Sequence, residues 1–250
     1  MASMELSGTT ALVTGATRGF GRSIAVALHD AGADVVAVAR NAEQLAKLRS
    51  ELGASLAIVA ADVADPVVAG SLVEQYRPKT LVLNAGAPPL MRPLQHQTWE
   101  TFSRNWEVDV RQAFHWIREA LLLPLAPEST VIAMSSGAAL FGSPLSGGYA
   151  GAKAAIRFIT GYAAAESSRA GLGIRFVSVL PKLTPATELG AMAVAAYARR
   201  DGIDVDELVR RLGPALGPEH VGKHIADLAS STDQASGAYL LTPDGPSLVP

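Results

Sequence analysis

The sequence predicts an α/β fold: a single domain over residues 1–250 in which a doubly wound parallel sheet of about seven strands is flanked by helices. Three observations predict it. Short apolar runs alternate with helical patterns along the chain. The runs are apolar at successive positions, so both their faces are buried, as in a parallel sheet between two helix layers. No linker, repeat or low-complexity stretch divides the chain.

The elements read in order as follows. Thr10–Thr14 is a strand that ends in the turn Gly15-Ala16-Thr17-Arg18-Gly19-Phe20-Gly21. A helix follows to His29, and Gly32 stops it. Asp34–Ala39 is the second strand, and about 42–52 a polar helix. Ser55–Ala61 is the third strand, ending at Asp62. Asp65-Pro66 opens a helix, because Asp caps well and Pro suits the first turn. Thr80–Leu83 is the fourth strand, running into Asn84-Ala85-Gly86. Thr98 caps one long helix to about Leu122. Thr130–Met134 is the fifth strand, followed by Ser135 and Ser136. A helix from about Leu145 to Arg169 carries Tyr149 and Lys153, and Ile174–Val179 is the sixth strand, ending at Pro181. Residues 184–217 form a helical flap, Glu219–Ser230 a helix, and Ala238–Leu241 a last strand.

Ligands of such sheets bind beyond the carboxyl ends of the strands. Thr14, Arg40, Asp62, Asn84, Ser136 and Pro181 fall there and mark one edge as the site. Gly15, Gly19 and Gly21 let the backbone turn tightly and approach a phosphate. The helix start beyond them offers free N–H groups to an anion. An NAD-binding chain usually closes its second strand with an acidic residue on the ribose 2′-hydroxyl. Here that place holds Arg40, with Arg18 in the glycine loop, and two guanidinium groups suit the 2′-phosphate of NADP(H). Asp62 either accepts a hydrogen bond from the adenine amino group or caps a turn.

Bulk properties narrow the function. Of 250 residues, 49% are hydrophobic and 18% charged, enough for a sizeable core. A net charge of -2 argues against a nucleic-acid partner. The absence of cysteine excludes disulfides and thiol chemistry. His29, His96, His115, His220 and His224 lack ligand spacing, so surface or capping roles, and no metal, are expected. Met1–Thr10 has no basic start followed by an apolar run, and no apolar run reaches the roughly 20 residues that span a bilayer. A soluble, cytoplasmic protein without a membrane partner is expected.

Tyr149 and Lys153 stand one helical turn apart and share a face. Together with Thr14-Gly15-x-x-x-Gly19-x-Gly21, Asn84-Ala85-Gly86 and Ser136, the spacing Tyr149-x-x-x-Lys153 resembles the classical short-chain dehydrogenase/reductase family. The resemblance covers nearly the whole length. It implies a Rossmann fold and an NADP(H)-dependent oxidoreductase that interconverts a ketone and an alcohol. In that role Tyr149 is the general acid/base, Ser136 hydrogen-bonds the substrate oxygen, and Lys153 supports the phenol and holds the nicotinamide ribose. It further implies a cofactor bound by Gly15, Thr17, Arg18, Gly19, Phe20, Gly21, Arg40, Asp62, Val63, Asn84, Ala85, Gly86, Tyr149, Lys153, Pro181, Leu183 and Thr184.

Two positions depart from the family pattern. The fourth catalytic position, usually asparagine, is Asp109, and a buried carboxylate there would draw the Lys153 ammonium toward itself. Lys182 stands where a glycine is usual, so its side chain must point away or reach a phosphate or substrate. Apolar residues in 87–91, 140–145 and 183–197 favour a hydrophobic carbonyl or alcohol substrate. Family contacts imply a homotetramer or homodimer through Phe114, Trp116, Ile156, Phe158 and Ile159. Rival readings are a non-redox dehydratase or isomerase on the same fold, and a non-enzymatic NADP-binding sensor.

Overall fold

The strands align in the order β3-β2-β1-β4-β5-β6-β7-β8. They are β1 (Thr10–Thr14), β2 (Asp34–Ala39), β3 (Ala57–Ala60), β4 (Thr80–Leu83), β5 (Thr130–Met134), β6 (Arg175–Pro181), β7 (Gly237–Thr242) and β8 (Gly245–Val249). The computed structural model describes residues 6–231 and 235–249. Residues 1–5, 232–234 and 250 of the predicted domain, including half of the stretch read for a leader, lie outside the described residues. Pairing is parallel from β3 through β7. β8 is the strand that the sequence reading lacks. It folds back antiparallel on β7, with Thr242 opposite Gly245. Its burial is low, so it carries no apolar run to read.

The order reverses between β1 and β4, the crevice where doubly wound sheets take their ligands. Both faces of the sheet are covered. On one side Leu12, Leu81, Val131 and Phe176 pack with Trp116 and Ile156. On the other, Val13, Val82, Ile132 and Val177 pack with Ile24, Leu28 and Ile225. Trp116 and Ile156 are 0% and 3% exposed. The expectation that they face a partner subunit is therefore corrected: on their helices they face the sheet. His224 is corrected too, since it is buried on α10 (Pro218–Ser230) and burial, outweighing its other influences, lowers its pKa.

Helix starts follow the caps in the sequence. Asn41 accepts from the Gln44 N–H at the head of α2 (Ala42–Leu52), and Asp65 from the Val67 N–H at the head of α3 (Pro66–Tyr76). Thr98 and Thr101 form a reciprocal capping box on α4 (Trp99–Asn105). The helix expected to run on to Leu122 is broken in character. Trp106–Val110 is a wide π turn, and α5 (Arg111–Leu122) continues beyond it. The apolar spacing resembles that of an unbroken helix, so the sequence gives no local sign of the extra residue per turn. Among the described residues no helix is long and apolar enough to cross a membrane.

Candidate active site

The glycine turn is shaped by what it touches. Gly15 and Gly19 have φ of +67° and +53°, which favour glycine. A Cβ on Gly21 would lie 2.1 Å from the Gly15 carbonyl oxygen and 2.3 Å from Asn84 Nδ2. A Cβ on Gly15 would lie 2.8 Å from Ala85 Cα. The turn is thus pressed against the end of β4. Thr14 and Asn84 lock the two together. Thr14 Oγ1 accepts from the Asn84 and Ala85 N–H groups at 2.9 and 3.2 Å, and Asn84 Nδ2 donates to the Thr14 carbonyl at 3.1 Å. Nothing stands within 4 Å of the Cβ direction at Gly19, the first residue of α1 (Gly19–Asp30). A cradle of this kind, with open space at a helix N-terminus, fits a dinucleotide pyrophosphate.

The other residues expected on the cofactor side lie in the turn itself or at and just beyond the carboxyl ends of β2, β3 and β6. Thr17 and Phe20 are half-buried in the turn, while Arg40 is exposed at the end of β2 and makes no ion pair among the described residues. Arg18 is exposed and pairs with Glu188 at 2.9 Å, at the start of α8 (Glu188–Asp201). Asp62 accepts from the Ala64 N–H, so its carboxylate already caps its own turn. The Val63 carbonyl accepts from the Trp116 indole N–H. Pro181 ends β6, and its carbonyl accepts from the Gly137 N–H beside Ser136. Leu183 is half-buried, and Thr184 is buried with its hydroxyl accepting from the Ala186 N–H. Thr187 instead caps α8.

The chemical end forms where α7 (Gly147–Arg169) crosses α4 and the π turn. A Cβ on Gly148 would lie 2.0 Å from the Phe102 carbonyl oxygen, and one on Gly151 would lie 3.4 Å from the Trp106 ring. These glycines cost helix propensity, about 1 kcal/mol each against alanine. In return the π turn approaches until Asp109 meets Lys153. Asp109 Oδ2 lies 3.1 Å from Lys153 Nζ, and the two side chains are 1% and 7% exposed. Lys153 Nζ also donates to the Met134 carbonyl at 3.0 Å and sits 5.5 Å from the Tyr149 ring centre. Ser135 fixes the same turn of helix by donating to the Lys153 carbonyl. Burial, the largest single influence on Lys153, lowers its pKa, but the Asp109 carboxylate and then Tyr149 together outweigh it, and the net shift is upward. Tyr149 and Ser136 are half-buried on the open side of this pair.

Asp109 Oδ1 accepts from the Ala87 N–H at 2.8 Å. A Cβ on Gly86 would lie 2.7 Å from Asp109 Oδ2, so glycine is needed there to admit the carboxylate. Two residues of this cluster escape a reading of the sequence. Asn105 Nδ2 donates to the Ala87 carbonyl at 2.6 Å, and Gln112 Nε2 to the Ala85 carbonyl at 2.9 Å. Their one sequence signal is polarity at positions of the helix face that also carries Asp109. Lys182 points away from the cradle and donates to the Leu212 carbonyl at the end of α9 (Val205–Leu212). On the other wall, Tyr197 of α8 is hydrogen-bonded to Ser143, which bonds Ser146 just before α7.

The family model described as short chain dehydrogenase matches residues 9–197. The chain belongs to this family. As a short-chain dehydrogenase it is an oxidoreductase acting on CH–OH and C=O groups. It is 31% identical to an L-xylulose reductase of Bos taurus, over 73% of this chain and 75% of that one. It is 29% identical to a hydroxynaphthalene reductase of Aspergillus fumigatus, over 96% and 93%. A solved 3-ketoacyl-(acyl-carrier-protein) reductase of Brucella melitensis, complexed with NADH, superposes with a TM-score of 0.78 at 25% identity. It covers 94% of this short-chain dehydrogenase and 97% of its own chain.

Proposed function

We propose that this short-chain dehydrogenase is an NADPH-dependent reductase of a hydrophobic ketone, with Tyr149 as the proton donor. The observation that carries the proposal is the Tyr149–Lys153 pair on one face of α7, with Lys153 buried beside Asp109 at the carboxyl edge of the sheet. The nicotinamide cofactor, when bound, supplies the hydride. Gly15, Thr17, Gly19, Phe20 and Gly21 would hold its pyrophosphate side. Asp62 and Val63 would border the adenine, and Asn84, Ala85, Gly86, Pro181, Leu183 and Thr184 the nicotinamide side.

The protein's own residues handle the proton. The Tyr149 hydroxyl donates its proton to the carbonyl oxygen as negative charge develops there. Ser136 donates a hydrogen bond to the same oxygen, lowering the cost of that charge. The Lys153 ammonium favours negative charge on the phenol oxygen that the proton leaves. Asp109 offsets part of that field, so the site works with a lysine held charged but partly neutralised.

The α8–α9 pair serves as the substrate flap. Leu189 and Met192 of α8 stand 37% and 47% exposed, and Phe141 at the end of α6 (Ala138–Phe141) 79%, which suits an apolar substrate. The reading includes a cytoplasmic location. It is supported on the cofactor side by the unpaired Arg40, and by similarity to a protein named carbonyl reductase [NADPH] 2 of Sus scrofa, 38% identical over 44% of this chain. The deciding experiment is a panel of ketones followed by NADPH absorbance, run also with NADH and with Arg40→Ala. Turnover should prefer NADPH, and Arg40→Ala should narrow the preference by about tenfold, as expected for one lost charge-assisted contact. Equal use of the two cofactors by the parent protein would remove the NADP assignment. A panel with no NADPH consumption would remove the reductase.

The proposal extends to a homo-oligomer. Phe114, Leu122 and Tyr162 are exposed along an apolar groove between α5 and α7 that also includes Ile159, and Phe158 is exposed where it stacks on Tyr162. A second copy, presenting the same groove across a twofold axis, would cover it. In sedimentation the protein should run as a dimer or tetramer, and Phe158→Glu should run as a smaller species. A monomeric parent protein would overturn this.

A further inference from the structure

The Ala87 backbone is held by two side chains from one helix face. Asn105 donates to its carbonyl at 2.6 Å, and Asp109 accepts from its N–H at 2.8 Å. Asn105 is 2% exposed and Asp109 0%. A carboxylate has no hydrogen to donate, so Asp109 alone serves only the N–H and leaves the buried carbonyl without a donor. An asparagine amide at residue 109 could serve both ends itself, but would then have no anionic oxygen to offer an ammonium. We propose that Asn105 and Asp109 divide this work, and that Asn105 is a positioning residue for the Asp109–Lys153 pair. By supplying the donor for Ala87, Asn105 leaves Asp109 Oδ2 directed at Lys153 Nζ, 3.1 Å away.

The division makes the two positions interdependent. In Asp109→Asn the new amide oxygen keeps the Ala87 N–H. Its NH2 group then either faces the Lys153 ammonium, donor against donor, or has to share the Ala87 carbonyl with Asn105, whose amide already holds the nearer lone pair. In Asn105→Leu, which keeps the volume, the Ala87 carbonyl loses its donor and Asp109 loses its restraint. Combining the two opens the carbonyl to the new amide and removes the conflict. Each single variant should therefore be impaired, and the double variant should recover much of what each loses.

The role in catalysis rests on Lys153 acting beside Tyr149 as proposed above, but the clamp can be tested without turnover. A cycle of the parent protein, Asn105→Leu, Asp109→Asn and the double variant is read by thermal unfolding, by NADPH binding from fluorescence titration, and by kcat on a ketone that the panel shows to be reduced. Both singles should lower Tm, and the double should lie well above the sum of their losses. Asn105→Leu should lower kcat about tenfold, the scale of one lost hydrogen bond, with the Kd for NADPH within about twofold. The double variant should regain part of that kcat. Additive losses of Tm across the cycle would overturn the clamp. Additive Tm losses with no turnover in the parent would overturn both readings, whereas coupled Tm losses with no turnover would overturn the reductase alone. Equal losses of kcat and NADPH affinity in Asn105→Leu would overturn the positioning role and leave a purely structural clamp.

Discussion

Tyr149→Phe is expected to abolish measurable ketone reduction while NADPH binding and Tm stay close to those of the parent protein. The substitution deletes one oxygen and keeps the ring that sits 5.5 Å from Lys153 Nζ. Tyr149 is half-buried, and its hydroxyl has no partner among the described hydrogen bonds whose loss would weaken the fold. What disappears is the proton donor. Positioned general acids contribute about 10²–10⁴-fold in rate, so kcat should fall by at least that order. The check is a kcat measurement beside a fluorescence titration with NADPH. A Phe variant that retains more than about a tenth of parent turnover would assign the proton to another group.

Lys153→Met is expected to be the most damaging single change to stability. The lysine and Asp109 are both buried, and Asp109 Oδ2 meets Lys153 Nζ at 3.1 Å. Removing one partner of a buried pair leaves the other charge uncompensated, at a cost of about 3–5 kcal/mol. For a chain of this size that lowers Tm by roughly 6–20 °C. Lys153→Met combined with Asp109→Leu should recover most of the loss, because the stranded charge is gone. A fall of Tm equal in the single and double variants would mean that packing, and not charge, holds the pair. The sign of the pH dependence follows from the raised pKa of Lys153. A folded-state amine value above the unfolded one, about 10.4, favours folding at all pH below the unfolded value. That stabilisation is lost as pH rises through the higher folded-state value. The pair should therefore contribute a constant amount across pH 6 to 9 and fade only in strongly alkaline solution.

Most of the sheet and its helices are legible in the sequence. β1, β2, β4 and β5 coincide with apolar runs, because a strand buried on both faces has to be apolar throughout. The caps Asp65 and Thr98 are local devices and act where they stand, and Asn41 caps α2 in the same way. β8 is not legible: it is an edge strand with exposed side chains, held by its pairing to β7. The π turn is not legible either, since it changes the helix by one residue without changing the residue types that a helix uses. Trp116 and Ile156 show a third limit. Periodicity marks a face as apolar without saying whether the sheet or a second subunit covers it.

The candidate site divides the same way. Tyr149, Lys153, the glycine turn and the polar strand ends follow from spacing along one chain segment, where geometry is set by the helix repeat and the strand pleat. By itself the sequence determined the layered α/β architecture, the edge at which the site lies, and the residue types available there. The tertiary structure alone decided who their partners are. It put Asn105 on Ala87, Glu188 on Arg18 and the Leu212 carbonyl on Lys182, and it supplied the geometry of the Asp109–Lys153 contact that the family resemblance implies. These contacts join segments that are remote in sequence. They depend on how closely backbones approach, here through Gly86, Gly148 and Gly151, and no local periodicity records such an approach.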